Sequence, residues 1–387
     1  EGEFRFAGKV KDVQYAYVPA NASSAASRNA TQEPTWPAMN NVNGDVLFDR
    51  LSFKVNGASG KWGSIPFTQI KADIPSFSGK VVVNVQGESK AATPLVLNDL
   101  RASPVNTLLS GVLTQATGTG VLSSKLKMSF PLAELDKTSV QGNVTLSGND
   151  IRLQNSLPLF EKAQGVINFN ESGFTLVGVN AQFLGGPIKL DGGSRKLPPK
   201  STEPNPLIKI QGQVSAAGLS QAKEIPWLSA LAQHANVTST YTASLGFKGG
   251  QSELSIQSQL QGMALNLPAP LNKRSDEMVA FKYDNTIVNT VNNKAQRDQI
   301  QLNWGRALSA AYLRDVSQAE PRILNGRWAV GDAPPSTNTS LAESGVLAVF
   351  NLPAFSVDDW LQVFSPAKSS PTYNATQNMG MGQRLYC

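Results

Sequence analysis

The sequence predicts a mostly β protein with a few short helices. Short runs in which apolar and polar residues alternate continue almost from end to end, broken by Gly, Asn and Pro. Alternation with a period of two places every second side chain on the same face of a sheet. The chain has 387 residues, more than the ~250–300 at which a single compact core stops growing. We therefore expect either two domains or one elongated body.

The composition supports strands and turns over long helices. Apolar residues make up 41% of the chain, which is enough for a folded protein. Charged residues make up 16%, against roughly 25% in an average soluble protein. The chain contains 32 Gly and 23 Pro, residues that favour turns over helix interiors.

Charge and cysteine content exclude some classes of protein. The net charge of +6 is dispersed, with one small cluster at Lys273-Arg274. Nucleic-acid binding proteins carry clustered basic patches, so we expect no nucleic-acid partner. A mild positive excess fits an ordinary solvated surface, and it is also compatible with anionic lipid headgroups. The single Cys, Cys387, excludes an intramolecular disulfide. No apolar stretch approaches the ~20 residues of a membrane span, and the chain begins without a signal peptide, as expected of a piece of a longer protein.

Strands are predicted along the first half of the chain in order. The first signal covers residues 42–55, and further strands are expected at 166–169, 173–178 and 179–188. Val144 and Leu146 lead through a Ser-Gly-Asn-Asp segment to Ile151 and Leu153, which predicts a hairpin or a bulged corner. The clearest alternation lies between these segments, at Val81, Val83, Val85, Leu126, Met128 and Phe130.

The second half repeats the pattern. Tyr241, Leu245 and Phe247 predict one strand, and residues 300–304 and 346–350 predict two later ones. Two more strands are predicted between these segments, from Leu254, Ile256 and Leu260 and from Met263, Leu265 and Leu267.

Three stretches favour helix. Residues 220–233 show near-helical apolar spacing after a Ser220 cap. Residues 356–364 start with Ser356 as the cap and carry Asp358 and Asp359 at the positive N-terminal end. Residues 105–109 predict a single turn.

Domain organisation follows from the loops. Residues 192–206 hold four prolines and are expected to separate two halves. We expect a partial strand and mobile loop at 1–40, a first β segment at 41–200 and a second at 206–365. The helices near 220–233 and 356–364 belong to the second segment, and a disordered tail is expected at 366–387.

The chain lacks an obvious catalytic constellation. The one histidine, His234, has no neighbouring Cys or carboxylate cluster, so no metal and no other cofactor is expected. No Gly-x-Ser-x-Gly elbow surrounds any serine, and Gly118-Thr119-Gly120 lacks the third glycine of a dinucleotide loop. We therefore expect that the protein is not an enzyme. A carbohydrate-active enzyme with two carboxylates from distant strands stays open as an alternative.

A set of short phrases resembles a known family. In order and spacing over roughly residues 40–365, the chain is similar to the YhdP family of AsmA-like proteins, relatives of TamB in Gram-negative envelopes. The phrases are Gly60-Lys61-Trp62-Gly63-Ser64-Ile65-Pro66-Phe67, Ala72-Asp73-Ile74-Pro75, Ser103-Pro104-Val105, Met128-Ser129-Phe130-Pro131-Leu132, Leu157-Pro158-Leu159-Phe160, Gly165-Val166-Ile167-Asn168-Phe169, Phe183-Leu184-Gly185-Gly186-Pro187-Ile188, Leu260-Gln261-Gly262-Met263, Leu267-Pro268-Ala269-Pro270-Leu271, Gly345-Val346 and Ser356-Val357-Asp358-Asp359-Trp360.

The resemblance implies a fold and a function. It implies an elongated, twisted antiparallel sheet curled into an open, taco-like groove with an apolar concave face. Family members resemble bridges along which phospholipid acyl chains move between inner and outer membranes. The implied location is the periplasm, with the full-length protein anchored to the inner membrane, and envelope proteins are possible partners. The family's N-terminal membrane anchor is absent from this sequence.

The candidate sites are alternate apolar residues expected to line such a groove. They are Val81, Val83, Val85, Leu126, Met128, Phe130, Val144, Leu146, Ile151, Leu153, Leu176, Tyr241, Leu245, Phe247, Leu254, Ile256, Leu260, Leu265 and Leu267. The same pattern is also typical of a secreted structural or interaction protein, a β-sandwich or solenoid whose closed core fills that face with protein. The pattern alone favours this closed core, and the family resemblance favours the groove.

Overall fold

The computed structural model is dominated by one very large open sheet. The structure describes residues 4–15, 37–134, 137–194, 205–223, 229–230, 232–248, 251–291, 294–318, 320–331, 345–354 and 356–364. Strands account for 62% of the chain, and 19 of them form a single mixed sheet that does not close into a barrel. The prediction of a mostly β protein with a few short helices is confirmed.

The strands follow one another along the chain. The first half contains β1 (Arg5–Tyr15), β2 (Met39–Asp49), β3 (Ser52–Trp62), β4 (Ile65–Ile74), β5 (Val82–Ala92), β6 (Thr117–Gly118), β7 (Val121–Pro131), β8 (Ser139–Arg152), β9 (Phe160–Asn170), β10 (Gly173–Phe183) and β11 (Gly186–Gly193). The second half contains β12 (Leu207–Ser215), β13 (Ala235–Asn236), β14 (Thr238–Lys248), β15 (Gln251–Ser258), β16 (Ala264–Leu265), β17 (Phe281–Val291), β18 (Lys294–Trp304), β19 (Leu308–Asp315), β20 (Arg322–Val330) and β21 (Gly345–Phe350).

Pairing is between sequence neighbours, with few exceptions. Two-residue β6 pairs with the end of β8, and β13 and β16 form a separate two-stranded sheet. The last pair, β20 and β21, is parallel, so the expectation of an antiparallel sheet throughout is wrong at this end. A parallel neighbour requires a longer connection than a hairpin turn, and 14 residues of sequence separate Val330 from Gly345.

Four short helices accompany the described strands: α1 (Thr93–Ala102), α2 (Pro104–Leu108), α3 (Ala216–Ser220) and α4 (Val357–Phe364). The helical turn expected at 105–109 and the helix expected at 356–364 are confirmed, and Ser356 Oγ accepts the Asp359 N–H as a cap. The predicted start of the helix at 220–233 is wrong, because Ser220 ends α3 instead of capping a new helix. Residues 224–228 and 231 of that prediction lie outside the described residues.

Some strand boundaries differ from the prediction. The signal over residues 42–55 covers two strands, β2 and β3, because the chain turns at Arg50, which has a positive φ of 54°. In β8 the register shifts around Asn149, so the bulged corner is confirmed over the hairpin. Leu260 lies beyond β15, and the strand expected at 263–267 shrinks to two-residue β16.

The strands on either side of the proline-rich segment at 192–206 belong to the same sheet. Strand β11 pairs with β12 in regular antiparallel register on either side of it. Much of the loop expected within residues 1–40, the segment 195–204 and the expected tail at 366–387 lie outside the described residues.

Candidate functional site

Register places one apolar residue after another on the same face of the sheet. Residues paired directly across two strands share a face. Val85 of β5 pairs with Met128 of β7, which pairs with Val140 of β8, and the same relation can be followed to both ends. We call this surface the apolar face. Its members, one from each strand of the main series, include Phe6, Phe48, Phe53, Ile74, Val85, Met128, Val140, Phe169, Phe174, Leu190, Ile210, Leu245, Leu254, Tyr283, Leu302, Ala310, Trp328 and Ala348.

The opposite face is polar. Glu88 of β5 pairs with Lys125 of β7, and their side chains form an exposed ion pair of 3.1 Å. A hollow of about 790 Å³ on this face is lined by cross-strand neighbours such as Gln164, Asn180 and Lys189. Most of its other lining side chains are amides, threonine hydroxyls and lysines of the polar face, and Ala181, Pro187, Ile188 and Tyr241 complete the lining.

Aromatic rings cover glycines within the apolar face. A Cβ on Gly142 would lie 2.3 Å from Cζ of Phe169, its cross-strand partner. A Cβ on Gly326 would lie 2.5 Å from Cδ1 of Tyr312 in the same way. The rings therefore lie flat across the neighbouring strand, which keeps the face apolar where a side chain is missing.

The centre of the apolar face is covered by the protein itself. Leu245 is 2% exposed and Phe247 is 1% exposed, although both project from a single sheet. They belong to a buried cluster that spans β7 to β15 and includes residues from segments outside the sheet. Two covering segments supply most of those residues.

The first cover is residues 93–116, which contain α1 and α2. Val112 is buried against the cluster, and Leu109 and Leu113 pack beside it. The cover is attached at its base by Asn149, which is 1% exposed. Its side-chain amide donates to Thr93 Oγ1 at 3.0 Å and to the carbonyl oxygens of Thr119 and Val121, and its Oδ1 accepts the Ser147 N–H at 2.8 Å.

The second cover is residues 259–280 together with β13 and α4. Met263, Leu265, Leu267 and Leu271 are buried in the cluster. Lys273 fastens this cover from within, because its buried ammonium donates to the carbonyl oxygens of Met263 and Arg274 at 2.8 and 2.9 Å. Burial lowers the pKa of Lys273, and the carboxylates of Glu277 and Asp276 oppose that shift.

Helix α4 returns from the far edge of the sheet to the same cover. The indole N–H of Trp360 donates to the Ala269 carbonyl at 3.2 Å, and Val363 joins the buried cluster. Trp360 and Val363 thus lie on the packed side of this helix, whereas Leu361, which the sequence placed on one face with Trp360, is 61% exposed.

Both ends of the apolar face carry exposed apolar side chains. At the β1 edge, Phe6 is 54% exposed and Tyr15 is 58% exposed. At the β21 edge, Val346 and Phe350 are also more than half exposed. The face is thus covered in the middle and accessible towards its ends.

The predicted lining residues fall into three groups. Those on the apolar face within strands of the main sheet are Val83, Val85, Leu126, Met128, Phe130, Val144, Leu146, Ile151, Leu176, Tyr241, Leu245, Phe247, Leu254 and Ile256. Val81 and Leu153 lie just outside β5 and β8. Leu260, Leu265 and Leu267 belong to the second cover and are buried there.

The sequence reasoning missed several members of the apolar face. Strand β1, with Phe6 and Val13, was not predicted in detail because a bulge at Asp12 interrupts its alternation. Helix α1 was missed altogether, although Pro94 near its start and Arg101 in its last turn are typical helix signals.

Within the described part of the chain, no group of three or more His, Cys, Asp or Glu residues could hold a metal ion. A search of the same residues for a helix long and apolar enough to cross a membrane also found none.

Comparison with known proteins identifies the family. A family model described as YhdP protein matches residues 1–383. The chain belongs to the YhdP family. Membership of the YhdP family indicates a cell-envelope protein related to lipid transport, and YhdP is not known as a family of enzymes. Searches of the curated proteins and of the solved structures found no match.

Proposed function

We propose that this chain is a segment of a bridge-like lipid transfer protein whose apolar face carries phospholipid acyl chains between the inner and outer membranes. The observation that carries this proposal is the continuity of the apolar face across successive strands of an open sheet. The location that follows from it is the periplasm, with the full-length protein anchored to the inner membrane.

The physical reason is the cost of exposing hydrocarbon to water. Each CH₂ group moved from water to an apolar surface gains about 0.8 kcal/mol, so a two-tailed phospholipid crosses an aqueous gap very slowly unless its tails stay covered. An apolar face that runs across many strands offers the tails such a surface towards both of its ends, where the covers leave it accessible. No bond is made or broken, so the task requires no catalytic residue and no cofactor.

The covered centre supports a second candidate function. Where Leu245 and Phe247 are buried in the cluster that residues of both covers join, the face behaves as an ordinary protein core. If the same were true of the whole face, the chain would be a structural or interaction protein with a closed core. The half-buried residues of β5 and β7 favour lipid transfer, because side chains such as Val85 and Met128 remain partly accessible.

The test compares two neighbouring residues on β5. Val85 lies on the apolar face and Gln86 lies on the polar face, so Val85→Lys and Gln86→Lys place the same charge on opposite faces. We would incubate each purified protein with phospholipid vesicles and count bound lipid by native mass spectrometry, with circular dichroism as the check on folding. We expect Val85→Lys to lose bound lipid by at least about tenfold, since an ammonium among acyl chains is poorly solvated, and Gln86→Lys to resemble wild type.

Two results would argue against the proposal. Equal lipid binding by wild type and a folded Val85→Lys protein would show that lipid does not lie on the apolar face. A wild-type protein that retains no lipid at all would favour the closed-core candidate.

A further inference from the structure

One ion pair interrupts the apolar face. Among the described strand residues whose register places them on this face, Asp298 of β18 and Arg314 of β19 are the charged ones, and they are direct cross-strand partners. Arg314 Nε donates to Asp298 Oδ1 at 3.0 Å, and Nη2 donates to Oδ2 at 2.5 Å. The Asp298 side chain is 3% exposed, whereas that of Arg314 is 24% exposed.

The pair orients the guanidinium. A carboxylate that accepts two parallel N–H bonds fixes the plane of an arginine and uses only one edge of its fork. Among the described residues, Asp298 accepts from Nε and Nη2 of Arg314. The Nη1 edge of Arg314, the more exposed residue of the pair, is left for a ligand. Asp298 is enclosed and has both oxygens occupied, so a ligand meets Arg314 first, and the ligand that suits that edge is an anionic oxygen.

The surroundings suit a molecule with an anionic head and an apolar tail. Along β19, the residues on the same face run from Arg314 through Tyr312 and Ala310 to Leu308. At about 3.3 Å per residue these six steps span roughly 20 Å, and one leaflet of a bilayer holds tails about 15 Å long, half of its ~30 Å core. An acyl chain therefore fits along the strand with its phosphate at Arg314.

The ends of β18, β19 and β20 next to Arg314 carry further positive charge. Arg297 and Arg322 both pair with Asp315 in register on the polar face, next to the Arg314 row. Four cationic residues, Lys294, Arg297, Arg314 and Arg322, stand against three carboxylates, Asp298, Asp315 and Glu320, which leaves one excess positive charge at this end of β18–β20. The local field thus favours an anion, although Arg314 itself is already paired.

We propose that Arg314, oriented by Asp298, binds the phosphate of a lipid headgroup while the acyl chains lie on the adjoining apolar face. This inference rests on the proposed function and adds to it a fixed headgroup contact on β19. An ion pair that served only to set strand register would not discriminate between lipid headgroups, and this difference makes the two roles separable.

In the experiment, purified protein is incubated with mixed vesicles that contain phosphatidylglycerol and diacylglycerol with identical acyl chains. Native mass spectrometry gives the ratio of the two lipids bound. The test variant is Asp298→Asn with Arg314→Gln, which removes both charges together and so avoids a buried unpaired carboxylate. Glu88→Gln with Lys125→Gln, which removes the exposed cross-strand ion pair of the polar face, is the matched control.

We expect wild type and this polar-face control to prefer phosphatidylglycerol. The double variant of Asp298 and Arg314 should lose that preference by about tenfold, the size of one charge-assisted hydrogen bond. If the double variant fails to fold, Arg314→Lys replaces it, because lysine keeps the charge but has no second edge to offer once it pairs with Asp298. Its preference should fall several-fold.

The remaining outcomes overturn the inference in distinguishable ways. A folded double variant, or Arg314→Lys, that keeps the wild-type preference contradicts the headgroup contact while leaving lipid binding on the apolar face intact. A separate titration with inorganic phosphate tests the source of the anion. If phosphate alone binds wild type but not the double variant, and the lipid ratio is unchanged, the site takes free phosphate and not a lipid. If wild type binds neither lipid, the proposed function fails as well.

Discussion

Two leucines on the apolar face should respond very differently to truncation. Leu245 and Leu126 both lie within strands on this face, but Leu245 is 2% exposed in the buried cluster and Leu126 is half-buried. Replacing each by Ala removes the same atoms. Any difference in cost therefore measures how far the protein itself fills the space above each residue.

The expected magnitudes follow from burial. Leu245 pairs with Ile208 and Leu254, so Leu245→Ala leaves a cavity between apolar neighbours and should cost about 4 kcal/mol, within the range of core Leu→Ala changes. Leu126 has Gly87 and Gly142 as direct cross-strand partners. With an accessible face above it and little cavity to form, Leu126→Ala should cost only about 1 kcal/mol.

Urea unfolding followed by circular dichroism would measure both costs in lipid-free protein. A second measurement in the presence of phospholipid should raise the cost of Leu126→Ala, because lipid that covers Leu126 adds to its burial, and should leave that of Leu245→Ala unchanged. Equal and large costs for both substitutions without lipid would refute the reasoning, since they would mean that the face is closed by protein over β7 as well.

Three further predictions concern the covers and their attachment. Asn149→Leu removes four hydrogen bonds at the base of the first cover and should cost about 3–4 kcal/mol at ~1 kcal/mol each, seen as a lower urea midpoint; an unchanged midpoint would contradict the assigned network. Tyr241→Phe should raise the midpoint by the equivalent of about 1 kcal/mol, because the buried Tyr241 hydroxyl has no hydrogen-bond partner among the described residues; a loss of stability would argue against that. Burial lowers the folded-state pKa of Lys273, so between that pKa and the unfolded value of about 10.4 the native state binds fewer protons than the unfolded state. The free energy of unfolding should therefore rise with pH in that window, and this rise should be smaller in Lys273→Met. Identical pH profiles of stability for the two proteins would count against the buried ammonium.

Strand alternation predicted the apolar face well where a strand is regular and paired on both sides. Val83, Val85, Leu126, Met128 and Phe130 fall in two neighbouring strands with unbroken register, so a period of two in the sequence becomes one face in the structure. The pattern carries this information because it depends only on backbone geometry.

The same pattern failed where tertiary position decides. Leu265 and Leu267 alternate as cleanly as Leu254 and Ile256, yet they lie in the second cover and not on the sheet. Alternation predicts that side chains share a side of an extended segment, but it does not say which surface that segment packs on. Pro268 and Pro270, which cannot donate to a ladder, were the available sign that no long strand continues there.

The placement of the covers follows from the order of the strands. In a series of antiparallel neighbours, successive connections lie alternately at one end of the strands and at the other. Helices α1 and α2 follow β5, α3 follows β12, the segment 259–280 follows β15, and α4 follows β21. The strand register places the ends of these four strands on the same side of the sheet, measured along the strand direction.

The Arg314–Asp298 pair lies near the opposite ends of the strands, where β19 ends and β20 begins. Within the described residues, the two covers thus extend over the apolar face from the strand ends that carry α1 and α4, and the charged pair lies near the opposite strand ends. An amphipathic molecule that enters from the side with shorter described turns would meet Arg314 first and the apolar strand centres next. This asymmetry gives the phosphate-binding proposal its direction, because a headgroup held at that edge stays near water while the tails point towards the side from which the covers close.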